Sequence, residues 1–364
     1  MNPGFVYWVN FYNLRRCTLV RVPKGRSEGK RINKKRQNQL EFINETLKEL
    51  DLSHIHPLLE TTTKYAISTG GKRLRPLIAI LCTEMLGGDY RDTRDMFLAL
   101  ELIHNATLVH DDIIDGDMYR RGEPSLFSKH GVKKAVLTGD ALLSIGLMYA
   151  SKTGKPEIVE WLAETALKMV QGITLQNQYK RKLMSVDEYL HMNYLKSGSL
   201  FEAASALGGI TGSNDPEDVK KLAHFGKYFG NAYQIRDDII DTFTPQDSEN
   251  SPNNDLLNGD PSLLLLYAIN SDSIDEDDKA RFLSIYSGEC KDLNVDQVRR
   301  VYEETGSLQK AIDKMQEFSN MAKEILDGYP ESDAKESLYE LLEQYNSSFT
   351  DNLYKVSSDM IQGH

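Results

Sequence analysis

Cysteine is scarce in this 364-residue chain: Cys17, Cys82 and Cys290 stand far apart and follow no pattern. Three thiols so placed form neither a disulfide framework nor a zinc site, and a reducing cytoplasm is the compartment expected. Long apolar runs are missing as well. No stretch approaches the roughly 18 apolar residues that cross a bilayer, so no transmembrane segment is expected. Basic charge is in the minority, with 43 Lys and Arg against 54 Asp and Glu and a net charge of -11. That balance argues against non-specific nucleic-acid binding, although local basic pockets stay open. Hydrophobic content of 40% and charged content of 27% are ordinary for a globular protein, and the length is ample for a large buried core.

What stands out is acidic and repeated. His110-Asp111-Asp112-Ile113-Ile114-Asp115 closes an apolar helical run from Met96 to Val109, which places Asp111 and Asp115 at i and i+4 on one helix face with Asp112 beside them. Carboxylates converging from one helix repel each other unless a cation sits between them, and oxygen-only ligation suits Mg²⁺. A second copy, Gln234-Ile235-Arg236-Asp237-Asp238-Ile239-Ile240-Asp241, closes the run from Phe229 to Ile235. A solvated acidic face would explain one such motif. Two copies, each with a pair of Ile that calls for a half-buried helix, instead suggest facing helices that hold several divalent ions against a polyanion such as a diphosphate.

Residues 1–36 differ from the rest, with an aromatic-apolar start (Phe5 to Val9) and then a basic run ending in Lys34, Lys35 and Arg36. A flexible or membrane-surface arm, a targeting segment and an upstream extension all fit that composition; a peripheral arm without a catalytic role is the expectation adopted. From Gln37 onward, apolar residues recur at three- and four-residue spacing, as in Leu77-Ile80-Leu81-Met85, Ala135-Leu142-Ile145-Met148 and Ile158-Leu162-Leu167-Val170, and strand-like alternation is nearly absent. Short breaks such as Gly87-Gly88-Asp89 and Gly154-Lys155-Pro156 separate the helices, and Asp215 before Pro216 reads as an N-cap. The spacing predicts one all-α domain over residues 37–364. Thr242 to Pro261, rich in Asn, Ser and Asp, reads as a loop beside the second motif and a candidate lid.

Other groups could carry chemistry near the carboxylates. Gly70-Gly71-Lys72-Arg73-Leu74-Arg75-Pro76 sets three cations after a glycine pair; the glycines permit close backbone approach, and Lys72 and Arg75 could grip phosphate oxygens. A solvated basic turn is the plain alternative. His104 lies two helical turns before Asp111 and so near the same face, where a satisfied core histidine is the competing explanation. Arg120-Arg121-Gly122 follows the first cluster, and Lys196-Ser197-Gly198 interrupts a helical stretch with another ammonium and hydroxyl.

These motifs, in this order, make the sequence from about Leu40 onward resemble the trans-isoprenyl diphosphate synthases, and most closely the geranylgeranyl diphosphate type. The resemblance implies an all-α bundle around a deep central cavity and a homodimer. It also implies several Mg²⁺ ions, about three with substrate bound, held by Asp111, Asp112 and Asp115 and by Asp237, Asp238 and Asp241. It assigns Lys72, Arg75, His104 and Arg121 to the diphosphate of isopentenyl diphosphate. Arg120, Lys196, Ser197 and Gln234 go to an allylic partner: dimethylallyl, geranyl or farnesyl diphosphate. Ala106 and Thr107 occupy positions where shorter-product relatives carry blocking aromatics, which favours a C20 product, with Leu142, Ile145, Met148 and Tyr149 as candidate cavity floor.

The chain also departs from the family pattern. The loop after the second motif normally supplies two lysines; here the matching positions are Asn250 and Asp260, and no Lys or Arg occurs between Thr242 and Ser262. Where relatives often carry an acid after a Gln-Gly pair, the residue is Gln176. Two alternatives therefore stand beside the synthase: a catalytically weakened or regulatory subunit, and a cyclase-like lyase that ionises the same diphosphate without a second substrate.

Overall fold

The computed structural model describes residues 28–243 and 254–347. The helices, in chain order, are α1 (Glu28–Lys48), α2 (Pro57–Ser68), α3 (Leu74–Met85), α4 (Arg94–Asp115), α5 (Leu126–His130), α6 (Val132–Lys152), α7 (Pro156–Tyr179) and α8 (Val186–Asn193). A π-helical turn, Tyr194–Gly198, leads into α9 (Ser199–Gly212) and then α10 (Pro216–Phe243). Shorter helices follow: α11 (Asn254–Asn258), α12 (Leu263–Ile269), α13 (Glu276–Ser287), α14 (Val295–Glu304), α15 (Ser307–Asp327) and α16 (Asp333–Leu342). The only sheet among the described residues is a hairpin of β1 (Tyr119–Arg120) and β2 (Glu123–Pro124), joined by Arg121 and Gly122, both at positive φ. The all-α class read from the periodicity is what the chain adopts.

The core explains the order of helices. In α9, twelve consecutive residues from Ser199 to Ile210 are buried, as expected of a helix apolar on every side, and it packs between α3 and α10. Helix α10 starts where sequence signals placed it, with Asp215 Oδ1 accepting from the Glu217 N–H at 2.9 Å. Its first half (Leu222, Phe225, Phe229) joins the apolar cluster of α3, α4, α6 and α9, and its second half (Ala232, Ile235, Ile239) joins that of α12 to α15. One helix thus threads both clusters and delivers the second aspartate motif at its end. No helix among the described residues is long and apolar enough to cross a membrane.

Three expectations change. Helix α1 begins inside the stretch read as a peripheral arm: Ile32 and Arg36 are buried, and Arg36 pairs with Glu340 at 2.6 Å. The basic run hid this because its acidic partners lie far along the chain; residues 1–27 lie outside the described ones. The stretch read as one loop contains helix α11, and positions 244–253, with Asn250, lie outside the described residues. Met148, a candidate floor residue, is 46% exposed, and Leu167 and Val170 on α7 face outward too, because α7 is buried through Ile158, Leu162, Thr165 and Met169 instead.

Candidate active site

Both aspartate motifs sit at helix C-termini, and each divides its carboxylates in the same way. At the end of α4, Asp112 turns inward, 3% exposed, and its Oδ1 accepts from Arg120 Nε at 2.7 Å and from Nη2 of the same guanidinium. Burial lifts its carboxyl to about 6 against the pull of Arg120. Asp111 and Asp115 are instead raised by their own desolvation and held down chiefly by Lys196. At the end of α10, Asp238 is the buried member: it accepts from the Tyr189 hydroxyl and, at 3.2 Å, from Gln234 Nε2, and burial lifts it to about 7. Asp237 stays partly exposed against Arg236 at 3.1 Å, while Asp241 Oδ2 receives the backbone N–H of Asp255 at 3.3 Å. The middle aspartates are struts. The outer four, Asp111, Asp115, Asp237 and Asp241, are less buried.

The basic wall is built on α3 and the hairpin. Arg73 takes the left-handed conformation before α3 and buries its guanidinium against Glu101, at 2.5 Å, with further bonds to Asn44 Oδ1 and Ile67 O. That anchor points its neighbours Lys72 and Arg75 elsewhere. Lys72 Nζ lies 5.3 Å from the Tyr345 ring centre and 5.7 Å from that of Tyr233, and Arg75 stacks over Phe201 at 4.3 Å. Arg75 Nη1 lies 3.2 Å from His104 Nε2. A guanidinium only donates, so Nε2 accepts and the imidazole proton sits on Nδ1. Desolvation and the neighbouring arginines push His104 well below its ordinary value, keeping it neutral. His104 Nδ1 and Arg75 Nε have no hydrogen-bond partner among the described residues. Two buried donors without acceptors are costly, and an anion is what would satisfy them. Arg121, at the hairpin tip, donates to Gly70 O and crosses Gly71, where a Cβ would stand 2.7 Å from its Nη1.

Lys196 projects from the π-helical turn, a departure from α-helix that marks functional positions. The turn approaches α7 so closely that a Cβ on Gly172 would lie 2.4 Å from Lys196 N. Its ammonium donates to Gln176 Oε1 at 2.6 Å, and Gln176 Nε2 donates to Asp260 Oδ1 at 2.9 Å. The charge of Lys196 acts on Asp111 and Asp115 from one side and on Asp255 from the other. Asp255 is itself driven well above the carboxylate range by burial, then by Asp241 and Asp238. Lys196 thus lies between the end of the first motif and Asp255, whose backbone N–H is bonded to Asp241 at the end of the second. Ser197 is half-buried on the same turn. A cavity of about 490 Å³ lined by Trp161, Glu202, Ile210, Val219 and His224 lies at the opposite ends of α7, α9 and α10, and no candidate residue borders it.

Sequence reasoning did not pick out Glu101, Tyr189 or Asp255. Tyr189 and Asp238 are 49 residues apart, and no local pattern announces their contact. Asp255, in contrast, was visible as an acid followed by two leucines shortly after Asp241.

Among the described residues, no three His, Cys, Asp or Glu side chains already converge on one point as a finished metal cage. Mg²⁺ keeps several waters and is held by one or two carboxylates together with substrate phosphates. Asp111, Asp115, Asp237 and Asp241 offer hard oxygen donors whose mutual repulsion a divalent cation would relieve. The residues present fit such an ion.

The family model described as polyprenyl synthetase matches residues 56–305. A short chain isoprenyl diphosphate synthase from Methanothermobacter thermautotrophicus is 33% identical over 305 residues, covering 82% of this chain and 93% of that protein. Among solved structures, geranylgeranyl pyrophosphate synthetase from Pyrococcus horikoshii Ot3 superposes with a TM-score of 0.77 at 30% identity, over 87% of this chain and 97% of its own. A polyprenyl synthase from Caulobacter crescentus CB15, solved in complex with calcium and isoprenyl diphosphate, gives a TM-score of 0.77 at 27% identity, over 90% and 99%.

Proposed function

The chain belongs to the polyprenyl synthetase family, and from that premise we propose that it is a Mg²⁺-dependent trans-prenyltransferase. It would condense isopentenyl diphosphate with an allylic diphosphate (dimethylallyl, geranyl or farnesyl) to give the C20 product, geranylgeranyl diphosphate. The observation that carries this reading is the position of Lys196, within electrostatic reach of Asp111 and Asp115 of the first motif and of Asp255, whose backbone N–H is bonded to Asp241 of the second. An allylic diphosphate would lie there, on Asp111, Asp115, Asp237 and Asp241 through divalent ions and on Lys196 directly. About three such ions would supply Lewis-acid stabilisation of the charge that develops on the departing diphosphate.

The chain's own residues do the rest. Lys72, Arg75, Arg121 and neutral His104 would hold the second diphosphate, His104 donating from Nδ1 and Arg75 from Nε, the two donors lacking partners. Held there, the isopentenyl double bond faces the allylic C1. As the C1–O bond breaks, its electron pair leaves with the diphosphate and the alkene forms the new C–C bond. A proton then departs from C2 of the isopentenyl unit to the released pyrophosphate. The struts matter as much: Arg120 with Asp112, and Tyr189 and Gln234 with Asp238, fix the outer aspartates without competing for ligand. Ser197 would add a hydroxyl beside Lys196.

Product length follows from Ala106, 2% exposed, and Thr107, whose hydroxyl is tied to His104 O at 2.8 Å. Both are small, which supports C20, with Leu142, Ile145 and Tyr149 as the buried candidates for the floor. A homodimer is supported by the apolar side chains left open on α6 and α7: Val132, Leu137, Leu167 and Val170, each 51–59% exposed. Free Cys82 and Cys290 fit a reducing cytoplasm. A cyclase-like lyase would have no use for the second basic pocket. Incubation with Mg²⁺, labelled isopentenyl diphosphate and each allylic primer tests the proposal: elongated product supports it, and a cyclised hydrocarbon or no product rejects it.

A further inference from the structure

Among the described residues, five carboxylates crowd the acidic half of the site. Asp237, Asp238, Asp241, Asp255 and Asp260 gather at the end of α10 and around α11, and no Lys or Arg occurs between Thr242 and Ser262. Arg236 is engaged by Asp237, and Lys196 is bonded to Gln176 at 2.6 Å. One more ammonium reaches this region. Lys180, at the C-terminal end of α7, places Nζ 3.9 Å from Asp260 Oδ2 with its side chain 32% exposed, and its charge is felt at Asp115 together with that of Asp260.

The turn that carries Lys180 is fastened in place. Arg181 adopts φ 61°, its backbone N–H donates to Gly259 O at 2.7 Å, and its guanidinium donates to Tyr286 O at 3.2 Å and Leu257 O at 3.4 Å. Such a left-handed arginine persists only when surrounding contacts over-determine it. The clasp presses the end of α7 onto the residues just before Asp260. Asp260 then joins two partners at once: Gln176, which carries the bond to Lys196, and Lys180 on its other oxygen. A row Lys196, Gln176, Asp260, Lys180 runs along the rim of the aspartate site, with an ammonium at each end.

We propose that Lys180 is a diphosphate-binding residue of this chain, positioned by Asp260 and the Arg181 clasp, and that it supplies the cation missing from the stretch after the second motif. It rests on the synthase reading for the identity of the ligand. The long 3.9 Å pairing and partial exposure leave Lys180 able to turn from Asp260 to a phosphate oxygen. Asp260 would hold it near the rim when no anion is bound.

The test is calorimetric titration with inorganic pyrophosphate and Mg²⁺ on the full chain, beside thermal unfolding to confirm folding. Lys180→Ala is expected to weaken binding about tenfold, the loss of one charge-assisted contact. Lys180→Arg should stay within about threefold of the native protein, and Lys180→Ala with Asp260→Lys, which restores an ammonium at the rim, should recover most of the loss. Native affinity in folded Lys180→Ala overturns the proposal. So does an equal loss in Lys180→Arg, or no recovery in the double variant. A native chain that binds pyrophosphate through Lys180 yet elongates no primer would overturn the synthase reading and leave this one standing.

Discussion

Glu101→Ala isolates what holds the basic wall. Glu101 is 2% exposed and receives Arg73 Nη1 at 2.5 Å. After truncation the buried Arg73 guanidinium keeps, among the described residues, Asn44 Oδ1 at 3.3 Å and Ile67 O at 3.2 Å, both neutral. Removing one partner of a buried pair strands the other charge and costs about 3–5 kcal/mol, far more than an exposed pair would. The lost Asn105 Nδ2 contact, 3.4 Å from Glu101 Oε1, adds little at that distance. Because Arg73 lies between Lys72 and Arg75, freeing it also lets the isopentenyl-side cations drift, and KM for isopentenyl diphosphate should rise about tenfold or more while KM for the allylic primer stays near native. Urea unfolding measures the first effect and steady-state kinetics the second. Glu101→Gln, which keeps the acceptor and removes the charge, should fall between. A Glu101→Ala protein within about 1 kcal/mol of native stability, or one in which both KM values rise equally, would refute the anchoring role.

Two further outcomes follow from the same geometry. His104, pushed well below 6.5 by burial and the arginines, stays neutral in the folded chain while its unfolded counterpart takes up a proton near pH 6.5; its contribution to stability is therefore full above that pH and lost as the pH falls below it, and ring ¹⁵N shifts at pH 6 should show a neutral Nδ1–H tautomer, an imidazolium signal being the contrary result. Gly172→Ala sets a Cβ 2.4 Å from Lys196 N, so the π-helical turn must shift; kcat/KM for the allylic primer should drop at least about tenfold with stability changed far less, and unaltered kinetics would mean that Lys196 does not need that placement.

Much of this was readable from local pattern. The i, i+4 aspartates, the apolar periodicity of the long helices and the Asp215 cap depend on neighbours within one or two turns, and they stand in the structure as the spacing implied. Features set by distant partners were hidden. Which aspartate of each motif becomes a strut depends on Arg120 for one and Tyr189 for the other. Arg73, the cation of the glycine turn to which the sequence assigned no role, is claimed by Glu101. The reach of α1 into the basic segment rests on Glu340, 304 residues away from Arg36. Met148 fits the apolar stripe of α6 yet points outward, because α6 carries apolar residues on two faces and periodicity cannot say which one the core takes.

Metal-dependent binding of inorganic pyrophosphate to Asp111→Ala, Asp237→Ala and the double variant probes the shared site most directly. If carboxylates from α4 and α10 grip the same anion through common ions, each single change removes nearly all Mg²⁺-stimulated binding and the double change adds almost nothing. Two independent, additive losses would contradict that, as would binding in either single variant as tight as in the native protein.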